Sequence, residues 1–240
     1  MTMQKTINDI ASDIARTHLP AMVIDTCVAL DIVRCVWRGN VRVVGVVKQL
    51  IEAHQNSELL LYAHSSLQKE ATRNRADVEG EARKKAGDVD QAISEYRRAA
   101  QYLGTDYPYV AGHLHESVIP SLMALHDQLL ATCVHIALEE QTQLAAFARG
   151  SNNRRPARKG GGANDCLMFE EFRSIAHAVP AANPLILLTT NPEDFVDKSK
   201  GASHIHQEIS DDLVGTKGQV CLNWDWAAKL VLTSARLKLI

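Results

Sequence analysis

Short apolar runs alternate with longer amphipathic stretches along the chain. Residues 21–25, 58–63 and 184–190 are the clearest of these runs, and residues 219–222 form a shorter one. Consecutive apolar positions are typical of strands that are buried on both faces, as the central strands of a parallel sheet are. The pattern therefore predicts four strands in one parallel sheet.

The stretches between these runs have helical periodicity. Apolar residues spaced three and four apart predict helices over residues 4–18, 28–36, 41–53, 165–178 and 224–239. A long charged helix is predicted over residues 66–103, and a further helix, with Pro120 near its first turn, should run to about Phe147. The order of elements predicts an α/β protein with three α/β/α layers around a central parallel sheet.

Two segments depart from this alternation. Residues 76–148 are predicted to be a helical insertion within a single domain that spans residues 1–240. Residues 149–164 are rich in Gly, Asn and Arg and contain no acidic residue before Asp165, so they are predicted to form a basic, flexible loop.

Composition narrows the class of protein. The formal net charge of -2 argues against a generally basic, non-specific nucleic-acid binder, although it allows a local basic patch. The five cysteines are widely spaced and form no CxxC pair, which disfavours a zinc ribbon or a disulfide framework. The first residues lack the apolar centre of a signal peptide, and no apolar run is long enough to span a membrane, so a cytoplasmic location is expected.

The first apolar run ends on a carboxylate, Asp25, and a second apolar stretch follows at once. An unpaired carboxylate in a core costs several kcal/mol, so this residue needs a reason to be there. It could cap the next helix, for which Asp is a favoured residue. It could instead point into the crevice where open α/β sheets bind ligands.

Three more acidic residues stand where such a sheet collects side chains at one edge. Glu70 lies in the helix after the second run, Asp165 opens the helix after the basic loop, and Asp194 follows the strongest strand. Convergent carboxylates repel one another, and hard oxygen ligands suit Mg²⁺ or Mn²⁺. Together with Asp25, these residues predict a divalent metal site, although each could also be a cap, a turn residue or a solvated charge.

The same segments resemble PIN-domain nucleases. VIDTCVALD (residues 23–31) is similar to the opening motif of that family, SSLQKEATRN (65–74) to its second acidic position, GGGANDCLMFEEF (160–172) to its central motif, and LILLTTNPEDF (185–195) to its last. The resemblance covers about residues 20–75 and 160–225. One departure concerns the last motif, where Asn191 stands near the usual Asp, so that either Asp194 or Asn191 completes the site.

The resemblance implies an endoribonuclease that uses Mg²⁺ or Mn²⁺ to hydrolyse single-stranded RNA, with a role as a toxin or defence effector. It also allows an inhibitory partner protein and a homo-oligomer. Asp25, Glu70, Asp165 and Asp194 would be both the catalytic residues and the metal ligands. Two alternatives stay open: a structure-selective DNA nuclease with the same metal cluster, and a non-catalytic scaffold that binds RNA or protein.

Further residues would support such a site. We expect five side chains to orient the ligands from behind, although capping and turn formation are equally good roles for several of them: Thr26, Asn164, Glu170, Thr190 and Asn191. Basic residues of the loop and of the charged helix would contact substrate phosphates, unless the loop is only a linker: Arg73, Arg149, Arg154, Arg155, Arg158 and Lys159.

Overall fold

The computed structural model describes residues 4–105, 114–157, 162–180, 184–201 and 204–232. Within these residues six strands form one all-parallel sheet in the order β1-β4-β3-β2-β5-β6. The strands are β1 (Gln4–Lys5), β2 (Ala21–Ile24), β3 (Leu60–Ala63), β4 (Val134–Ile136), β5 (Leu185–Leu188) and β6 (Gly218–Cys221). The predicted parallel sheet is confirmed.

The helices of the described residues are α1 (Ile7–Thr17), α2 (Thr26–Arg34), α3 (Arg42–Gln55), α4 (Leu67–Leu103), α5 (Leu114–Thr132), α6 (Glu140–Ser151), α7 (Ala163–Ala178), α8 (Pro192–Phe195), α9 (Gln207–Asp212) and α10 (Trp224–Val231). None of the helices in this part of the chain is long and apolar enough to cross a membrane.

Alternate residues of the central strand face two separate cores. Met22 and Ile24 lie in a core with side chains of α2, α3, α4, α5 and α10. Ala21 and Val23 lie in a second core with side chains of α1 and α7. All four strand residues are fully buried, because a sheet covered by helices on both faces leaves neither side of a strand in water. The predicted three-layer α/β/α arrangement agrees with this packing.

The segment predicted as a helical insertion contributes to the body of the protein. The predicted helix from Pro120 to Phe147 is wrong, because it is interrupted by β4, which joins the sheet beside β3. Helix α5 supplies Leu122 and Leu129 to the same core as Met22. Only three residues form β4, too few to break the helical pattern visibly in the sequence.

The predicted basic loop is shorter than expected. Helix α6 continues to Ser151, so Arg149 lies in the last turn of a helix, and α7 begins at Ala163. Residues 158–161 between them lie outside the described residues.

The strand order places a switch point between β2 and β5. From β2 the chain moves outward to β3 and β4 on one side, and β5 and β6 then fill the other side. Open parallel sheets bind ligands in the crevice outside the carboxyl ends of the strands at such a point. In the register of these two strands Ile24 lies opposite Leu188, so the residues that follow them, Asp25 and Thr189, are neighbours at this crevice.

Candidate functional site

A cleft with a volume of about 370 Å³ opens at the switch point. Three of the four acidic residues predicted from the sequence line it: Asp25, Glu70 and Asp165. The remaining lining residues are Thr26, Cys27, Leu30, Arg34, Asn74, Asp77, Val78 and Asn191. The fold thus brings to one cleft acidic side chains from the residue after β2, from α4 and from α7, which are far apart in the sequence.

Asp25 occupies the N-cap position of α2, but its side chain does not cap the helix. Its Oδ2 atom accepts hydrogen bonds from Thr189 Oγ1 at 2.6 Å and from Cys27 Sγ at 2.7 Å. The hypothesis that Asp25 serves only as a helix cap is therefore wrong. Both donors are neutral groups, so the carboxylate is held in position without its charge being balanced by them.

The environment of Asp25 disfavours its charged form. Burial raises the pKa of this carboxyl, and the nearby charge of Glu70 raises it further. The hydrogen bonds from Cys27 and Thr189 lower the pKa and oppose these effects. A carboxylate that is 6% exposed and next to a second acid would be stabilised by a cation in the cleft.

Glu70 lies in the first turn of α4, where its Oε1 accepts a hydrogen bond from Ser66 Oγ at 3.1 Å. Asn74 and Asp77 follow at four and seven residues and line the same cleft. This spacing places the three side chains on one face of the helix. Asn74 and Asp77 were not among the predicted site residues, although their helical spacing from Glu70 is a signal in the sequence that points to them.

Asn191 connects the two remaining acids. Its Nδ2 atom donates to Asp194 Oδ2 at 2.5 Å and lies 3.5 Å from Asp165 Oδ1. Asp165 is in the first turn of α7 and lines the cleft, as Asn191 does. Asp194 is 1% exposed and is not among the lining residues, so its predicted position as a direct ligand does not fit this geometry.

The threonine that contacts Asp25 is Thr189 and not the predicted Thr190. Thr190 Oγ1 donates to Asp31 Oδ2 at 2.6 Å, and its backbone N–H donates to Cys27 Sγ at 3.2 Å. Asp31 also pairs with the guanidinium of Arg38. Thr190 therefore connects the segment after β5 to α2, whereas Thr189 orients the Asp25 carboxylate in the cleft.

Of the other side chains predicted to orient ligands, Thr26 lines the cleft and Asn164 does not. Thr26 Oγ1 lies 2.9 Å from His64 Nε2. Asn164 is exposed, and no side chain caps α7, so the alternative roles of Asn164 and Asp165 as helix caps do not apply.

Arg149 and Glu170 form a buried ion pair away from the cleft. Arg149 Nε donates to Glu170 Oε1 at 2.5 Å, and its second guanidinium nitrogen donates to Asp212 Oδ2 at 2.6 Å. Arg149 is 3% exposed and Glu170 is 2% exposed. The prediction that Arg149 contacts substrate and that Glu170 supports the metal site is therefore wrong, because the two side chains already satisfy each other.

The remaining predicted phosphate contacts are dispersed. Arg73 is exposed, Arg154 pairs with Asp212 at 2.9 Å, and the backbone N–H of Arg155 donates to Glu208 at 2.9 Å. Arg158 and Lys159 lie outside the described residues. The basic residue that lines the cleft is Arg34, whose Nε is 3.5 Å from Glu81 Oε2. Nothing in the sequence distinguished it from other arginines.

The donors of the cleft fit a hard divalent cation in chemistry but are not gathered around a single point. Among the described residues no group of three or more His, Cys, Asp or Glu side chains is close enough to hold an ion together. Mg²⁺ keeps several of its water molecules and is commonly bound by only one or two carboxylates. Asp25, Glu70 and Asp165 could hold such an ion partly through water.

Comparison of the chain with protein-family models, curated proteins and solved structures found no match.

Proposed function

We propose that this protein is a Mg²⁺- or Mn²⁺-dependent nuclease of the PIN-like type that hydrolyses phosphodiester bonds in single-stranded RNA. The observation that carries the proposal is the meeting of Asp25, Glu70 and Asp165 in one cleft at the switch point of the sheet. The preference for RNA over DNA comes from the sequence resemblance alone.

The residues of the cleft have separate roles in this proposal. Asp25, Glu70 and Asp165 would bind the ion, which would supply activated water and charge neutralisation at the phosphate. Thr189 and Cys27 orient the Asp25 carboxylate through the hydrogen bonds described above. Arg34, the basic side chain among the lining residues, would attract the phosphate of the substrate.

The test is a cleavage assay on end-labelled single-stranded RNA, single-stranded DNA and flap DNA with Mg²⁺, Mn²⁺ or a chelator. We expect metal-dependent cleavage of RNA that leaves 5′-phosphate ends. Asp25→Asn and Asp165→Asn should each lower the rate by about two to three orders of magnitude, the scale of losing one contact that stabilises a transition state. Preferential cleavage of flap DNA would instead support the DNA nuclease.

The matched control is Asp88→Asn, which removes an exposed acid from α4 far along the helix from Glu70. This variant should cleave like the wild type. Equal rates for the wild type and Asp25→Asn would show that the cleft is not the active site.

A non-catalytic scaffold is the second candidate. The observation that favours it is that the described acids do not form a group of three around one point. A scaffold would bind RNA with the same affinity in the presence of Mn²⁺ and of a chelator, and would cleave none of the three substrates.

A further inference from the structure

A chain of hydrogen bonds links the two sides of the cleft behind its surface. Thr26 Oγ1 lies 2.9 Å from His64 Nε2, and His64 Nδ1 lies 3.1 Å from Ser66 Oγ. Ser66 Oγ in turn donates to Glu70 Oε1 at 3.1 Å. The chain therefore connects Thr26, which follows Asp25 directly, with Glu70 on the neighbouring helix.

The direction of these hydrogen bonds can be assigned from the Glu70 end. Because the hydroxyl proton of Ser66 is donated to Glu70, the Ser66 oxygen must accept from His64, so Nδ1 carries the proton. The other ring nitrogen, Nε2, then accepts the hydroxyl proton of Thr26. Every donor in the chain points toward Glu70.

The histidine suits this role because it stays neutral. His64 is 1% exposed, and burial together with the neighbouring His135 lowers its pKa to about 3. A neutral imidazole has one donor and one acceptor nitrogen, whereas a charged one would donate from both and could not accept from Thr26.

We infer that His64 is a positioning residue of the candidate metal site: by accepting from Thr26 and donating to Ser66, it fixes the hydroxyl that orients the Glu70 carboxylate. The inference rests on the proposed function, since it assigns Glu70 a ligand role. A glutamate side chain has three rotatable bonds, so a bound Oε1 limits where its second oxygen can lie. Groups that orient metal ligands in this way typically change metal affinity by about 10–100-fold.

The test measures Mn²⁺ affinity by isothermal titration calorimetry in the full-length protein. Ser66→Ala, which removes the last donor, should weaken binding about tenfold. Ser66→Thr keeps a hydroxyl and should restore most of the affinity. The matched control is Ser94→Ala on the same helix, where the hydroxyl donates only to the carbonyl of Asp90, and its affinity should equal that of the wild type.

Thr26→Val distinguishes a connected chain from separate local effects. Without the Thr26 hydroxyl, Nε2 loses its partner in this series of hydrogen bonds and the imidazole is held only through Nδ1, so the ring directs the Ser66 hydroxyl toward Glu70 less firmly. Thr26→Val should therefore weaken Mn²⁺ binding by itself and add little to Ser66→Ala in the double variant. Histidine ¹⁵N spectra should show the proton of His64 on Nδ1 in the wild type.

The outcomes separate this inference from the proposed function. If the wild type binds Mn²⁺ and Ser66→Ala binds it equally well, His64 does not position a ligand, while the metal site itself stands. Fully additive losses of Mn²⁺ affinity in the double variant would also contradict a connected series of hydrogen bonds from Thr26 to Glu70. A wild type that binds no Mn²⁺ would overturn both the metal site and its positioning residue.

Discussion

Helix α7 contributes an acid to each of two sites. In one site arginine side chains pair with the acids, and in the other the hydrogen-bond donors are neutral. Near its middle, Glu170 is buried against Arg149, and Asp212 shares the same guanidinium. In its first turn, Asp165 faces a cleft that also contains Asp25 and Glu70. The first site is an acid cluster whose charge is balanced by arginines of the chain itself, with Arg149 buried between the two acids and Arg154 and Arg173 at their outer sides.

In the cleft, by contrast, the donors to Asp25 and Glu70 are neutral. They include the hydroxyls of Thr189 and Ser66, the thiol of Cys27 and the backbone N–H of Thr26. Neutral donors fix a carboxylate in space but leave its charge for another partner. The comparison shows that the number of acids does not by itself make a cluster a candidate metal site. What matters is whether the groups that donate hydrogen bonds to the carboxylates are neutral or positively charged.

Removing the arginine of the first site should have the largest effect on stability. Arg149→Met removes the buried partner of Glu170 and Asp212 and leaves them only the more exposed Arg173 and Arg154, so the loss should be up to about 3–5 kcal/mol, the cost of a broken buried pair. Arg154→Met removes a half-exposed partner of the same Asp212 and should cost less than about 1 kcal/mol. Urea unfolding of both variants measures the difference. Equal losses would mean that the Arg149 pair is no more important than a surface pair.

The second prediction concerns a third acid of α7, Glu171, for which the described residues provide no oppositely charged partner. It is fully buried, accepts the backbone N–H of Ser65 at 3.1 Å, and burial raises its pKa to about 7. Between pH 4.5 and 7 the unfolded chain releases this proton before the folded protein does, so the stability of the wild type should fall as pH rises.

The loss across this range should be about 3 kcal/mol at most, at about 1.36 kcal/mol for each pKa unit. Glu171→Gln cannot titrate, so its unfolding free energy should vary less over the same range and exceed that of the wild type at pH 8. Urea unfolding at a series of pH values measures both. Identical pH dependence of the two proteins would show that Glu171 is not the group responsible.

The adjacent threonines provide a sharper comparison. Thr189→Val and Thr190→Val each remove a hydroxyl donor to a carboxylate, so each should cost about 1–3 kcal/mol in unfolding free energy. Only Thr189→Val should also weaken Mn²⁺ binding, because Asp31, the partner of Thr190, does not line the cleft. If both variants changed Mn²⁺ affinity equally, Thr189 would have no special role in holding the candidate metal site.

The smallest expected effect is that of Asp25→Asn on stability. Asparagine can accept the hydrogen bonds of Thr189 and Cys27 while relieving repulsion from Glu70. The unfolding free energy without metal should therefore be unchanged or higher by less than about 1 kcal/mol. A large loss would mean that the charge of Asp25 is needed for folding.

The sequence predicted the elements that carry strong local patterns. The fully apolar strands β2 and β5 and the acids near their ends could be located from the order of motifs, and Asp25, Glu70 and Asp165 line one cleft. The three acids could be placed because each lies near the end of a strand or the start of a helix, and the local sequence specifies where these elements end and begin.

The parts that could not be predicted depend on distant partners. Arg149 adjoins a run of basic residues, yet its place is decided by Glu170 and Asp212, which are 21 and 63 residues away. Whether Thr189 or Thr190 contacts Asp25 depends on the register of β5 against β2 to within one residue. His64 is a single histidine at the end of a strand, and only its contacts in the fold reveal its connection to the cleft.

The most direct test of the central claim, that the acids of the cleft share one divalent cation, is the stabilisation of the protein by Mn²⁺. An ion that binds only the folded state stabilises it by about 2.7 kcal/mol at a hundred times its dissociation constant. We expect a gain of this size for the wild type, and a gain close to zero at the same Mn²⁺ concentration for Asp25→Asn and for Asp165→Asn. A wild type that gains nothing, or variants that gain as much as the wild type, would contradict the account.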